Sequence, residues 1–396
     1  MKVSLLIAIR QSNKRLHPAI KKQGQSNPIK EKLYQYLRVL SPLEEIPILS
    51  PRNYRFFLDG SIRSNSKTGI ALQEFTNAGI KIEEIWYNKS GSISRLNKVM
   101  RIVFRIPFIL MVFVRKKKVF RFLDLAGLQV FVGYVAYRKF FAKNERLVPI
   151  INSDISPKLH MQWSAAISIN RDVFWWQDDY HHYAGFSNEN YMPYSCTYAA
   201  ALNQKGFETT IQRNSKAKVF ARPQATVKPI QSISYNPRLG VATNAKFQGR
   251  EEQISHIDEI KKQLGASEVY IRLHPNSKLS KRELDQEWMR IAPADETIEQ
   301  YCNKVDLVLV GNSAVQLKLL CEGVPVIHTK GLDDLGYDRY GYCAQRFCYG
   351  VKDGAQLPSI EEINRFYQNA ELQERLNDYV NVRDELPGLS ALKNVL

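Results

Sequence analysis

Two stretches decide the fold: VYIRLHP at residues 269–275 and DLVLVGNSAVQLKLLCEGVPVIHTK at residues 306–330. In each, a short apolar run (Val269–Leu273, Leu307–Val310) stops abruptly at polar or glycine-bearing residues, His274-Pro275 in one and Gly311-Asn312-Ser313 in the other. Runs of four or five apolar residues bounded by turn formers read as buried strands. The second run is followed by helical spacing from Ser313 to Cys321 and then by a strand over Val324–His328. Open parallel sheets bind ligands in the crevice at the carboxyl ends of their strands. A helix opening at Ser313 also aims unsatisfied N–H groups at that crevice. One imidazole and one helix start therefore converge on a place suited to a phosphate.

Working outward, the alternation continues. A strand at Leu239–Thr243 precedes a helix at Glu251–Leu264, and a helix is expected near Ser280–Arg290, with a short strand near Ile291. Another helix follows at Thr297–Asn303. Strands alternating with helices at this period specify a doubly wound α/β sheet. In the first half, NYRFFLDGSIRSNSKTG gives a strand and turn, Ile70–Ala78 a helix, IKIEEIWY a strand, and the runs at 147–151 and 172–176 two more. The proline-bearing stretch ARPQATVKPIQSISYNP (221–237) separates the halves as a linker. The expected division is 1–232, 233–365, and a helical segment 366–396 packing back on the first part.

Composition narrows the class. The 396 residues are 44% hydrophobic and 24% charged, a globular balance, and the net charge of +17 favours an anionic partner. Five scattered cysteines without CxxC spacing argue against a disulfide framework or zinc site and fit a reducing compartment. Val3–Ile9 is too short to span a bilayer and is read as a first strand. Residues 99–122 hold seven basic residues and no acidic one around the apolar core Ile106–Val114. That stretch is expected either to lie on an anionic membrane surface or to form a buried helix with a solvated basic end. No nucleic-acid module accompanies it, so nucleic acid is not expected as a partner.

Individual residues carry the chemistry. His274, with Arg272 two positions earlier on the same side of the strand and Pro275 ending it, can donate to a leaving phosphate. Gly311, Asn312 and Ser313 supply backbone and hydroxyl contacts to the same group. Glu296 and Glu322 are candidates for a nucleotide's ribose hydroxyls. Asp59, with Gly60 and Ser61 at a strand end of the first half, is a candidate general base for an acceptor hydroxyl. The segment WWQDDYHHY (175–183) brings Trp176, Asp178, Asp179, His181 and His182 together as a sugar-binding wall; its spacing matches no zinc motif.

These motifs resemble glycosyltransferases of the GT-B architecture, two facing Rossmann-like domains with a deep interdomain cleft. More narrowly they resemble bacterial transferases of CMP-activated sialic, related nonulosonic or Kdo-type acids, through His274-Pro275, Ser313 and the acidic Leu58-Asp59-Gly60-Ser61. The resemblance implies a metal-independent, inverting enzyme without cofactor, whose donor is a CMP-sugar and whose acceptor is a glycan or lipid-linked glycan. Asp59 would be the base, His274 and Ser313 would hold the CMP phosphate, and Glu296 the ribose. The setting would be surface-polymer synthesis (capsule or lipopolysaccharide) at the cytoplasmic face of the inner membrane. Two departures stand out: the family's paired acid is Leu58-Asp59 here, which leaves Asp178 or Asp179 as rival bases, and its paired serine is Ser313-Ala314. CDP-glycerol-using transferases share the same strand-His-Pro and serine-helix features and form the alternative. A non-enzymatic basic membrane- or nucleic-acid-binding protein is the third reading.

Overall fold

The computed structural model describes residues 54–59, 67–87, 125–152, 157–178, 180, 196–275, 277, 279, 284, 286–352 and 357–394. The basic stretch 99–122, the run Val3–Ile9 and the residues Gly60, Ser61, Asp179, His181 and His182 lie outside that set.

The first half forms six strands: β1 (Phe56–Leu58), β2 (Ile85–Tyr87), β3 (Val148–Ile151), β4 (Phe174–Trp176), β5 (Tyr198–Ala201) and β6 (Lys218–Ala221). They pair in the order β2-β1-β3-β4-β5-β6, every pair parallel. Side chains alternate across a strand, so one face carries Phe57, Ile151, Trp175 and Ala199 and the other Phe56, Leu58, Ile150, Phe174 and Ala200. Both faces are buried, which is why these strands read as unbroken apolar runs. Helices α1 (Lys67–Asn77), α2 (Leu125–Lys143), α3 (Pro157–Ile167) and α4 (Gln204–Arg213) connect them. Tyr137 and Phe141 of α2 and Trp163 of α3 fill one face; Ala71 and Phe75 of α1 fill the other. Each fully buried large side chain contributes roughly 1.5–3 kcal/mol. Strands β5 and β6 and helices α2 to α4 were not among the sequence expectations: YAAA and KVFA are too short and too alanine-rich to stand out.

The second half repeats the plan with β7 (Leu239–Ala242), β8 (Val269–Arg272), β9 (Met289–Ile291), β10 (Leu307–Val310), β11 (Val326–Thr329) and β12 (Tyr349–Val351). Their order is β12-β11-β10-β7-β8-β9, again all parallel. Counted from β7 this is the 3-2-1-4-5-6 order of a dinucleotide-binding sheet, with its topological switch between β7 and β10. The α/β class with two Rossmann-like parallel sheets, expected from the sequence, is what the structure shows. Helices α5 (Glu251–Gln263), α6 (Ile298–Cys302) and α7 (Val315–Cys321) wind this sheet, and α8 (Ile360–Tyr367) and α9 (Ala370–Val380) follow it.

Three local expectations change. The end of the helix expected near Ser280–Arg290 is a turn and strand β9, because Met289 and Ile291 pair beside β8. Helix α7 begins at Val315, not Ser313, with Ala314 as an N-cap that makes no side-chain bond, so it is only seven residues long. The strand expected from Val324 begins at Val326, because Gly323 (φ +81°) closes α7 in a Schellman turn: Gly323 N–H donates to Leu320 and Val324 N–H to Leu319.

The chain crosses twice between the two sheets. The linker is no free tether: the N–H groups of Lys228 and Gln231 donate to Cys321 and Gly323, and that of Ile233 to Asn364. After α9 the chain returns, and Asn381 clasps the outgoing crossing, accepting from Ala225 N–H at 2.7 Å and donating to its carbonyl at 3.0 Å. Asn203, the cap of α4, donates to the Tyr379 carbonyl, and Leu389 and Leu392 then bury in the first sheet's core.

Beside β4, Arg222 binds Glu74 at 2.6 Å and lies over the Trp176 ring, whose indole N–H donates to the same carboxylate at 2.9 Å. All three are largely buried, so Glu74→Ala should cost about 3–5 kcal/mol by stranding a buried guanidinium. Urea unfolding reads this directly; a loss under about 1 kcal/mol, the scale of a solvated pair, would show the clamp contributes little.

Candidate functional site

At the switch point of the second sheet, three strand ends stand side by side. Thr243 and Asn244 follow the middle strand β7, His274 follows β8 on one side, and Gly311-Asn312-Ser313 follow β10 on the other. Two strand spacings, about 10 Å, separate the outer two backbones. Thr243 Oγ1 accepts from the His274 N–H at 3.0 Å, and Asn244 donates to the Asn312 carbonyl at 2.9 Å, so the middle strand ties both flanks.

His274-Pro275 forms a tight turn, in which Ser277 N–H donates to the His274 carbonyl at 2.7 Å, with Pro275 at the position its fixed φ suits. The imidazole is half-buried. Burial, with the Arg272 guanidinium as a second cause, pushes its pKa below the ordinary 6.5, so it is neutral near pH 7. Arg272 itself donates to the Glu296 carbonyl at 3.1 Å. Ser313 Oγ accepts from Val315 N–H at 3.4 Å, leaving its hydroxyl hydrogen for another acceptor.

Other expected site residues are consumed by the fold. Asn312 is buried: its N–H and side-chain amide donate to Asp333 at 2.7 and 3.2 Å, the amide also donates to Gly336, and its oxygen accepts from Arg339 N–H at 2.7 Å. Both N–H donors of that side chain are used, so none remains for a phosphate. Gly311 is required because a Cβ there would strike the Asp333 carboxylate, rather than to admit a ligand. Glu322 caps the far end of α7, at the amino edge of the sheet, and pairs with Lys228 at 2.5 Å. A helix rising 1.5 Å per residue places it roughly 13 Å from Ser313, out of reach of a shared nucleotide contact. Glu296 precedes the α6 cap Thr297; it is buried, with one oxygen bound to Lys304 and to Tyr270 Oη at 3.0 Å, while the other has no partner.

In the first sheet, the switch lies between β1 and β3, and Asp59 directly follows β1. Its side chain is only 2% exposed and accepts from Lys158 at 2.9 Å, Gln162 at 2.5 Å and Tyr137 at 3.5 Å. Lys158 is the exposed partner, at 25%. Trp176, expected in a sugar wall, is 1% exposed under Arg222 and corrects that reading. Asp178 is half-buried, and Tyr180, two residues on, is buried in the second sheet's core, so Asp178 stands where this segment meets the second unit. Thr243, Asn244, Asp333 and Lys158 escaped the sequence reading. The first two follow an apolar run just as His274 does and carry that legible signal; Asp333 and Lys158 carry none.

Two cavities, of about 710 and 270 Å³, open instead at the amino edge of the first sheet around Arg55 and Glu84. Parallel sheets bind ligands at the other edge, where the polar strand ends converge, and the rim is therefore the better candidate. Among the described residues no cluster of three or more His, Cys, Asp or Glu is placed to hold a metal, and no helix is long and apolar enough to cross a membrane.

No family model matches the sequence, and no curated protein does. Solved structures similar to this chain include a UDP-N-acetylglucosamine 2-epimerase (13% identity, 91% of this chain and 90% of that one, TM-score 0.43). MurG of Acinetobacter baumannii is another (11%, 86% and 97%, 0.44), as is the glycosyltransferase SnogD of Streptomyces nogalater (12%, 86% and 98%, 0.45).

An NMR titration should place the His274 midpoint below 6.5; a midpoint at or above it would refute the buried, neutral imidazole. Because the folded pKa is depressed, the contribution of His274 to stability is whole above the unfolded value of about 6.5 and is lost as pH falls toward the folded midpoint. The wild type should therefore lose stability relative to His274→Asn below pH 6.5. Separately, Gly311→Ala should cost about 1–3 kcal/mol by displacing Asp333, measured by thermal or urea unfolding.

Proposed function

We propose that this chain is a glycosyltransferase that takes an acidic sugar from a CMP carrier on the second unit and delivers it to a glycan hydroxyl presented by the first. The observation that carries the reading is the neutral His274 on the carboxyl rim of a sheet with dinucleotide-binding order, flanking the switch point opposite Ser313. As the bond to the anomeric carbon breaks, negative charge grows on the departing phosphate. In this scheme a neutral imidazole N–H and a serine O–H donate to that phosphate and strengthen their bonds as the charge develops, so binding energy is spent in the transition state. Glu296, whose one oxygen is tied to Lys304 while the other is partnerless and buried, is assigned to the ribose hydroxyls, with the exposed Lys304 side chain swinging aside to admit them. No cofactor is invoked, and a single carboxylate in the first unit suffices for direct, inverting displacement.

Two described carboxylates compete for the base. Asp59 is buried with three donors on its oxygens, whereas Asp178 is half-buried on the segment that reaches the second unit. This favours Asp178 as the group that takes the acceptor's proton and gives Asp59 a structural part. Residues 99–122 are assigned to the membrane surface in this scheme, placing the enzyme at the inner face of the cytoplasmic membrane beside a lipid-linked or capsular acceptor.

Calorimetry with CMP, CDP, UDP and GDP tests the donor class: CMP should bind, and His274→Ala and Ser313→Ala should each weaken it about tenfold. Binding of UDP or GDP without any cytidine nucleotide would end the CMP reading, and preference for CDP would favour the glycerophosphate alternative. With a CMP-sugar and glycan acceptor, Asp178→Asn should lower kcat at least about 100-fold with CMP affinity unchanged. Asp59→Asn should mainly lower stability; the reverse pattern would return the base role to Asp59.

A further inference from the structure

Three of the five cysteines, Cys196, Cys302 and Cys321, are buried singly, and burial pushes each thiol up to about 12. The other two are a pair. The turn through Arg346 (φ +57°) folds residues 343–348 back on themselves, with Arg346 N–H donating to Cys343 and Phe347 N–H to Tyr342. It leaves the Cys343 and Cys348 sulfurs 3.5 Å apart, both as free thiols, with Cys343 partly exposed and Cys348 buried. The pair also connects to the rim. Cys348 donates to Gln316 Oε1 at 3.0 Å, and Gln316 Nε2 donates to the Gly311 carbonyl at 2.7 Å, holding the turn that presents Ser313.

We propose that Cys343 and Cys348 are a redox-modification site, closed to an internal disulfide by exchange with a low-molecular-weight disulfide, and that closure loosens the Gly311–Ser313 turn. The Cys343 thiolate attacks the small disulfide and expels one thiolate. The Cys348 sulfur then attacks Cys343, passing its proton to the departing second thiolate. Two protein thiols are oxidised and one small disulfide is reduced to two thiols. A disulfide needs about 2.05 Å between sulfurs, so the 3.5 Å pair must close by roughly 1.5 Å. Once its hydrogen is gone, Cys348 no longer donates to Gln316, whose buried oxygen is left without a donor and whose hold on Gly311 weakens. Cys348 is buried enough that its pKa lies well above the ordinary thiol value, which makes this second step the slow one.

The test uses the full chain equilibrated in glutathione buffers of increasing oxidised fraction, quenched by alkylation and read by intact mass and peptide mapping. The expected product is two hydrogens lighter, carries a Cys343–Cys348 link, and is absent from Cys343→Ser and Cys348→Ser. Both thiols remaining alkylatable in the native protein at the most oxidising buffer, or a lasting glutathione adduct without closure, would overturn the site. Amide exchange tests the coupling without any nucleotide: residues 316 and 317 should exchange at least about fivefold faster in the disulfide form. The reduced Cys348→Ala variant, which also lacks the donor to Gln316, should behave likewise. Unchanged exchange in the oxidised protein would overturn the coupling.

Discussion

The Asp333 carboxylate holds the candidate site together. It accepts from the Asn312 backbone and amide, from Asn244 and from Leu335 N–H, so one side chain ties the ends of β7 and β10 to the loop after β11. Charge-assisted bonds of this kind are the stronger class, and four donors converge on this one carboxylate. Gly311 exists to let that carboxylate approach. His274 and Ser313 keep their spacing because the strand between them, ending in Thr243 and Asn244, is locked to both neighbours.

The same economy of polar groups governs the connection between the two sheets. Asn381 satisfies both backbone groups of Ala225, where the returning chain meets the outgoing one, and Asn203 and Gln204 hold the segment around Tyr379–Asp384 against α4. A half-buried amide matched to a backbone pair satisfies both of its groups, which is what a junction of two irregular segments needs.

In the second half, β7, β8, β10, α5, α6 and α9 follow from apolar runs, turn residues and helical spacing. Capping boxes at Thr297 and Ser359 start α6 and α8. The first half was less legible. Its β5, YAAA, is buried wholly by neighbours, so nothing in its own composition distinguishes it from a helix fragment. The late start of α7 has a comparable cause: Asn312 and Ser313 look like caps, but Asn312 is drawn out of the helix by Asp333 and the Gly336 carbonyl.

The sequence alone therefore determines where strands end and which polar residues stand at those ends, because hydrophobic runs and turn chemistry are local properties. It marks His274-Pro275, Ser313 and Asp59 as rim residues, and all three follow sheet strands. Tertiary structure alone decides which of the marked groups remain available for a ligand. Asp59 is claimed by Lys158 and Gln162, Asn312 by Asp333, Trp176 by Glu74 and Arg222, and Glu322 by Lys228. Those partners lie between 21 and 103 residues away along the chain. A hydrogen bond is satisfied by proximity in space, and no local pattern records it.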